Sequence, residues 1–327
     1  MTNFWSGQEK PVNFGLAPQL GKGRRFKSGR PHQILLLNCG QKHLSFANNE
    51  APLFKEAKAF LRKSGNLIAM QNINPLFILQ PVIVIVISTV LLLFWYRRRR
   101  FHWMVLAYSL VAYTVAIALK YVVQIPTYDA VEGYFGSASV GLGVYLGLQT
   151  VFFEVCLAYL VAWYVVNHGL LERKDAEAYG SGLAFWENAG LLGIISLINL
   201  VTIYSILASN TPLAQTVYNQ LTTNQPGLFA STSAALANVA WGTLERISSI
   251  MMHFAWGYLC FMAVILRKKR LFLVALPMGF VDFLVPFSSF MGTAVFEAVV
   301  FALSVLSVYV AWHSVKLVSK VTKNSLD

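Results

Sequence analysis

The sequence predicts an all-α fold, a polytopic transmembrane helical bundle of about seven spans. Three observations carry this prediction. Of the 327 residues, 56% are hydrophobic and only 12% charged, with a mean hydropathy of +0.56, too apolar for an ordinary soluble domain. The apolar residues fall in long unbroken runs rather than the alternation of barrel strands, and crossing a bilayer takes roughly 20 of them per helix. The basic residues gather at the ends of those runs, where they act as topology signals.

The formal charge of +12 is therefore no sign of a nucleic-acid partner. The expected partner is the lipid bilayer. Residues 1–69 stand apart, carrying 11 of the 26 Lys and Arg and only three acids, Glu9, Glu50 and Glu56. Within them Leu53, Phe54, Ala57, Phe60 and Leu61 recur at helical spacing, with Lys55, Lys58, Arg62 and Lys63 around the rest of the turn, as in a basic helix lying on an anionic membrane surface. The alternative is a misassigned start with Met70 as the true first residue, so that 70–327 is the seven-helix membrane domain. No signal peptide opens the chain. Cys39, Cys156 and Cys260 form no disulfide framework, and the last two lie in apolar runs as packing residues.

The runs are placed at 75–96, 103–123, 140–166, 182–208, 234–266, 271–290 and 293–315. The first ends in Arg97–Arg100, and the third leads into Glu172, Arg173 and Lys174. The fifth ends in Arg267, Lys268, Lys269 and Arg270, and the seventh runs on to Lys316, Lys320 and Lys323. Those ends belong in the cytoplasm, which puts the C-terminus inside. The opposite loops agree: 124–139 has Asp129 and Glu132 but no cation, and 209–233 has no charge. The basic stretch 1–69 would then have to cross the membrane, which favours a start at Met70. Ser139, Gly143 and Gly147 form a small-residue face for close helix packing.

Within the spans lie Glu154, Glu187, Glu245, Arg246, His253, Asp282 and Glu297, with Lys120 nearer an end. Each charge at mid-membrane costs about 2.5–3.5 kcal/mol on insertion scales, so such residues turn to the bundle interior and mark function. Arg246, Ser249, His253 and Trp256 make one stripe on the fifth run. Glu245 and Arg246, about 100° apart on the helix, are not expected to pair. Glu154, Glu187 and Asp282 are the partners available on neighbouring runs. A metal site at His253 would draw on Glu187 and Asp282, but a zinc site commonly takes two or three His or Cys, and His253 is the one deep histidine. There is no HExxH, GxxxxGK[ST], CxxC or GxSxG, which removes the zincin, nucleotide-hydrolase, thiol-redox and serine-hydrolase signatures. Ser248 and Ser249, inside a helix, read as packing residues.

The stretches RRRRFHW, QTVFFEVCLAYL, AYGSGLAFWENAGLLG, LERISSIMMHFAWGYL and LPMGFVDFLVP, in this order and spacing, resemble the YhfC-type intramembrane metallopeptidases, a family similar in outlook to the CAAX-processing membrane proteases. The likeness covers about residues 75–315. The family pattern of two adjacent glutamates and an arginine three residues beyond the second is reduced here to Glu154, with Phe153 before it and Leu157 in the arginine position. Gly180, Gly182 and Glu187 match the fourth-span motif, but Leu183 stands where many relatives carry histidine. Glu245, Arg246 and His253 match the fifth-span motif. Asp282 keeps half of an HxxxD pattern whose histidine is Met278 here.

The resemblance implies a membrane-embedded peptidase, or a peptidase-like relative, acting on a membrane-associated peptide. Its site residues would be Glu154, Glu187, Glu245, Arg246, His253 and Asp282, with Glu154 or Glu187 as base and His253 stabilising an oxyanion. Zinc is the implied metal, and the missing imidazoles predict weak or absent binding. Two rival classes remain open: a pseudo-protease that binds membrane proteins without cutting them, and a proton-coupled transporter, against which the absence of repeated halves counts. The six site residues are expected to converge.

Overall fold

A computed structural model describes residues 72–209 and 211–324, with side chains to Val321. The basic stretch 1–69 and its amphipathic segment lie outside them. The described residues are mostly helical, with no strand among them. Seven helices are long and apolar enough to cross a membrane: Pro75–Arg99, Met104–Phe135, Val140–Asn167, Arg173–Ala208, Thr232–Ile265, Lys269–Met291 and Thr293–Val321. They are called the first to seventh spans below. The protein is an all-α, multi-pass integral membrane protein.

The chain divides into two compact units. Of the described residues, one unit holds Pro75–Leu200 and 233–324, and the other holds Val201–Thr232 with residues 72–74. In the smaller unit a helix, Pro212–Asn224, is capped by Thr211, whose hydroxyl accepts from Ala214 N at 3.3 Å, with Pro212 preset for the first turn. Asn74 N donates to Leu228 O at 2.9 Å. This helix corrects the expectation of a plain loop over 209–233.

In the larger unit the fifth span is the central helix. Of its most apolar window 89% is buried, against at most 39% in any other span. The other spans turn large apolar side chains outward, such as Val86, Val90 and Leu93 on the first and Leu306 on the seventh, as lipid as solvent allows. Small residues let helices approach. A Cβ on Gly143 would lie 2.6 Å from Phe283 O, and one on Gly147 would lie 2.8 Å from the Phe280 ring. The small-residue face of the third span thus packs on Phe280–Phe287, a tighter 3-10 stretch flanked by Pro277 and containing Pro286.

Two span boundaries differ from the sequence expectation. The second span runs on to Phe135 instead of stopping near 123, so Asp129 and Glu132 are helical. Pro126 and its polar neighbours look like a loop in sequence. Within the helix Pro126 has no N–H for Val122 O, and beside it Thr127 Oγ1 donates to Val123 O at 2.6 Å. The fourth span starts at Arg173 rather than 182. Its entry is held by Asp175, which is fully buried and accepts from His102 N at 2.7 Å and Glu172 N at 2.8 Å. Arg99 clasps Glu177 through Nε at 3.0 Å and Nη2 at 2.6 Å, tying the basic end of the first span to the fourth.

Candidate functional site

Three of the site's acids lie on turns that are not α-helical. Glu154 lies in a π-helical stretch, Thr150–Val155, and Glu187 in another, Trp186–Gly193. Asp282 lies in the 3-10 stretch of the sixth span. Wider or tighter turns redirect side chains and recur at functional sites in helices.

The centre is His253 on the fifth span, 1% exposed, with the Trp256 ring 4.1 Å away and the Tyr113 ring 6.4 Å away, centroid to centroid. Its Nδ1 lies 2.9 Å from Ser249 O. A carbonyl only accepts, so Nδ1 carries the hydrogen and the working atom is Nε2. Nε2 faces two carboxylates: Glu154 Oε2 at 3.2 Å and, in closer contact, Glu187 Oε2.

Each of those carboxylates turns its other oxygen to a fixed cation. Glu154 Oε1 accepts from Lys120 Nζ at 2.6 Å. Glu187 Oε1 lies 3.8 Å from Arg246 Nη1 and accepts from Ser249 Oγ at 3.2 Å. Asn188 Nδ2 donates to the same Ser249 hydroxyl at 3.1 Å, so Ser249 orients Glu187. Lys120 also reaches Asp282 Oδ2 at 3.2 Å and Thr150 Oγ1 at 2.8 Å.

All six residues expected from the sequence therefore join one chain of polar contacts: Asp282, Lys120, Glu154, His253, Glu187, Arg246, Glu245. Two local expectations are corrected. Glu245 and Arg246 do pair, through Glu245 Oε1 and Arg246 Nη2, because two long side chains reach round the helix although their Cβ atoms diverge. Asp282, grouped with His253 and Glu187 as a ligand in the sequence, instead accepts from Lys120 and from Thr150 Oγ1 at 2.5 Å, while Glu154 stands beside His253. Lys120 is the residue that the sequence left out. A second span ending near 123 puts it at a helix end, whereas in a helix from Met104 to Phe135 it is central. Glu297 on the seventh span is also buried and lies near enough to interact with Glu245 and Arg246.

The donor set fits a divalent cation. Glu154, Glu187 and His253 each offer one ligand atom, all within 4.8 Å of one another, and all three residues are buried. Glu154 Oε2 and Glu187 Oε2 both face His253 Nε2, so a cation at that point would be shared by the two carboxylates and the ring nitrogen. The Nδ1–H held by a carbonyl is the outer-sphere bond that fixes the tautomer of a metal-binding histidine. Among the described residues, Lys120 and Arg246 meet the far oxygens of Glu154 and Glu187 and leave the two oxygens beside His253 Nε2 to the ring nitrogen. Leu183 and Met278, the positions where the family resemblance led us to expect histidine, lie in the apolar core.

Compared with known sequences, residues 82–305 match the YhfC intramembrane metalloprotease family. No curated protein and no solved structure matches the chain.

Proposed function

The chain belongs to the YhfC intramembrane metalloprotease family, and on that premise we propose that it is a membrane-embedded metallopeptidase acting on a membrane-associated peptide, with Glu154, Glu187 and His253 holding the metal. The observation that carries the reading is the convergence of three buried donors from three spans within 4.8 Å. A divalent ion held there supplies Lewis-acid polarisation to the reaction. The protein's own groups do the rest. Glu187 Oε1, touched by only a neutral hydroxyl at 3.2 Å and a guanidinium at 3.8 Å, is the carboxylate oxygen freer to take a proton from water. Glu154 Oε1 is engaged by the Lys120 ammonium at 2.6 Å. Arg246 Nη1 is buried without a hydrogen bond and is placed to donate to negative charge developing on the substrate carbonyl oxygen. Water oxygen bonds to the carbonyl carbon, its proton passes through Glu187 to the leaving amine, and the C–N bond breaks.

A binding-only relative is the second reading, favoured by the apolar packing of Leu183 and Met278. Metal content of the full chain in mild detergent separates the two. Against the weak or absent binding that the missing imidazoles predict, we expect one divalent ion per chain, lost in His253→Ala. A metal content that is zero, or unchanged in His253→Ala, would sink the metallopeptidase reading and the convergence argument with it.

We further propose that the C-terminus is cytoplasmic, on the strength of the basic clusters after the first, third, fifth and seventh spans. A pair of reporters fused after Asp327, one active only inside and one only outside, checks this. Activity of the external reporter overturns the orientation.

A further inference from the structure

The Lys120 ammonium has three N–H donors and meets three oxygens: Glu154 Oε1 at 2.6 Å, Thr150 Oγ1 at 2.8 Å and Asp282 Oδ2 at 3.2 Å. Thr150 closes the set by donating to Asp282 Oδ2 at 2.5 Å. The cluster is shielded, with side-chain exposures of 15% for Lys120, 8% for Glu154 and 13% for Asp282. Glu154 turns its opposite oxygen to His253 Nε2 at 3.2 Å. One carboxylate thus bridges two cation positions, as in a two-metal centre, and an ammonium stands at one of them.

We propose that Lys120 is a resident counter-cation that fills a second cation position formed by Glu154, Asp282 and Thr150, and so limits the centre to one external metal ion. The vacated position would take a hard divalent cation, because its donors are two carboxylates and a hydroxyl, all oxygen. Lys120 is a positioning residue here. It keeps Glu154 Oε1 away from the His253 side, so that Glu154 offers that side a single oxygen. The inference rests on the metallopeptidase reading only for the first ion, since the second position is defined by the contacts of Lys120 itself. A purely structural ion pair makes a different forecast: its loss destabilises the helices but creates no affinity for a cation.

The test counts Mn²⁺ bound to the full chain in detergent, by elemental analysis and electron paramagnetic resonance. The variants are Lys120→Met, Lys120→Arg and the double variant Lys120→Met/Asp282→Asn. Lys120→Met should bind one more Mn²⁺ per chain than the parent, whatever the parent holds. Lys120→Arg and the double variant should bind the parental number. Should Lys120→Met be unstable without metal, Mn²⁺ should raise its Tm, and it should not do so for the double variant. No extra ion and no Mn²⁺-dependent stabilisation in Lys120→Met would overturn the proposal, as would an equal gain in the double variant. A parent that binds no Mn²⁺ speaks against the metallopeptidase reading, while the gain in Lys120→Met still decides this one.

Discussion

Glu187→Gln is expected to remove peptidase activity by about 10²- to 10⁴-fold, the range for loss of a positioned general base, while leaving the bundle folded. Glutamine keeps the volume and an acceptor for Ser249, which now bonds Glu187 Oε1 at 3.2 Å. Arg246 is not stranded, because it retains Glu245. What disappears is the one carboxylate that faces His253 Nε2 on one side and a weakly engaged oxygen on the other. Glu154→Gln should fold as well, since Lys120 keeps Asp282 and Thr150, and it should also lose activity. The measurement is cleavage of fluorogenic lipidated and transmembrane peptides in proteoliposomes, beside the wild-type chain. Turnover within a few-fold of wild type in both variants would remove Glu154 and Glu187 from the reaction. A chain that cuts nothing in any form and holds no His253-dependent metal would favour the binding-only relative.

The number of spans was legible because bilayer thickness imposes a length on every apolar run, and runs starting near 75, 140, 234, 271 and 293 are bounded by charge or by proline. The ends of the second and fourth spans were not. A helix that runs through Gln124, Pro126, Thr127 and Asp129 carries the composition of a loop, so composition ends it too early. That boundary also hid Lys120, whose meaning depends on how much helix follows it. The acids themselves stood out, since carboxylates inside apolar runs are costly. Their partners did not stand out, because π-helical turns at Thr150–Val155 and Trp186–Gly193 shift the face on which Glu154 and Glu187 emerge. A period of 3.6 residues cannot reveal that. Glu154 therefore meets both His253 and Lys120, and Asp282, grouped with His253 in the sequence, is held by Lys120 and Thr150.

Gly180→Val is expected to give little or no folded protein, and Gly180→Ala a protein with lowered stability and a misaligned site. The fourth and fifth spans cross at Gly180 and Gly257, where neither helix has room for a Cβ. One on Gly180 would lie 2.5 Å from Phe254 O and 2.9 Å from Tyr258 N, and one on Gly257 would lie 2.7 Å from Gly180 Cα. These neighbours are backbone atoms of the two crossing helices, so no rotamer change relieves the clash and the helices must separate. Overpacking of a well-filled interior costs typically about 1–3 kcal/mol, and more where nothing can yield. The same separation carries His253, next to Phe254, away from Glu187 on the fourth span. A displacement of about 1 Å can cost roughly 10²-fold in rate, so Gly180→Ala should lose His253-dependent metal and activity in greater proportion than its fall in Tm. Gly133→Ala is the control: it lies near the end of the second span with nothing within 4 Å of a Cβ, and it should leave Tm and metal content unchanged or raise Tm slightly. Thermal unfolding in detergent, read beside metal content for all three variants, checks the prediction, and a Gly180→Val chain with wild-type Tm and metal would show that the two spans do not cross at these glycines.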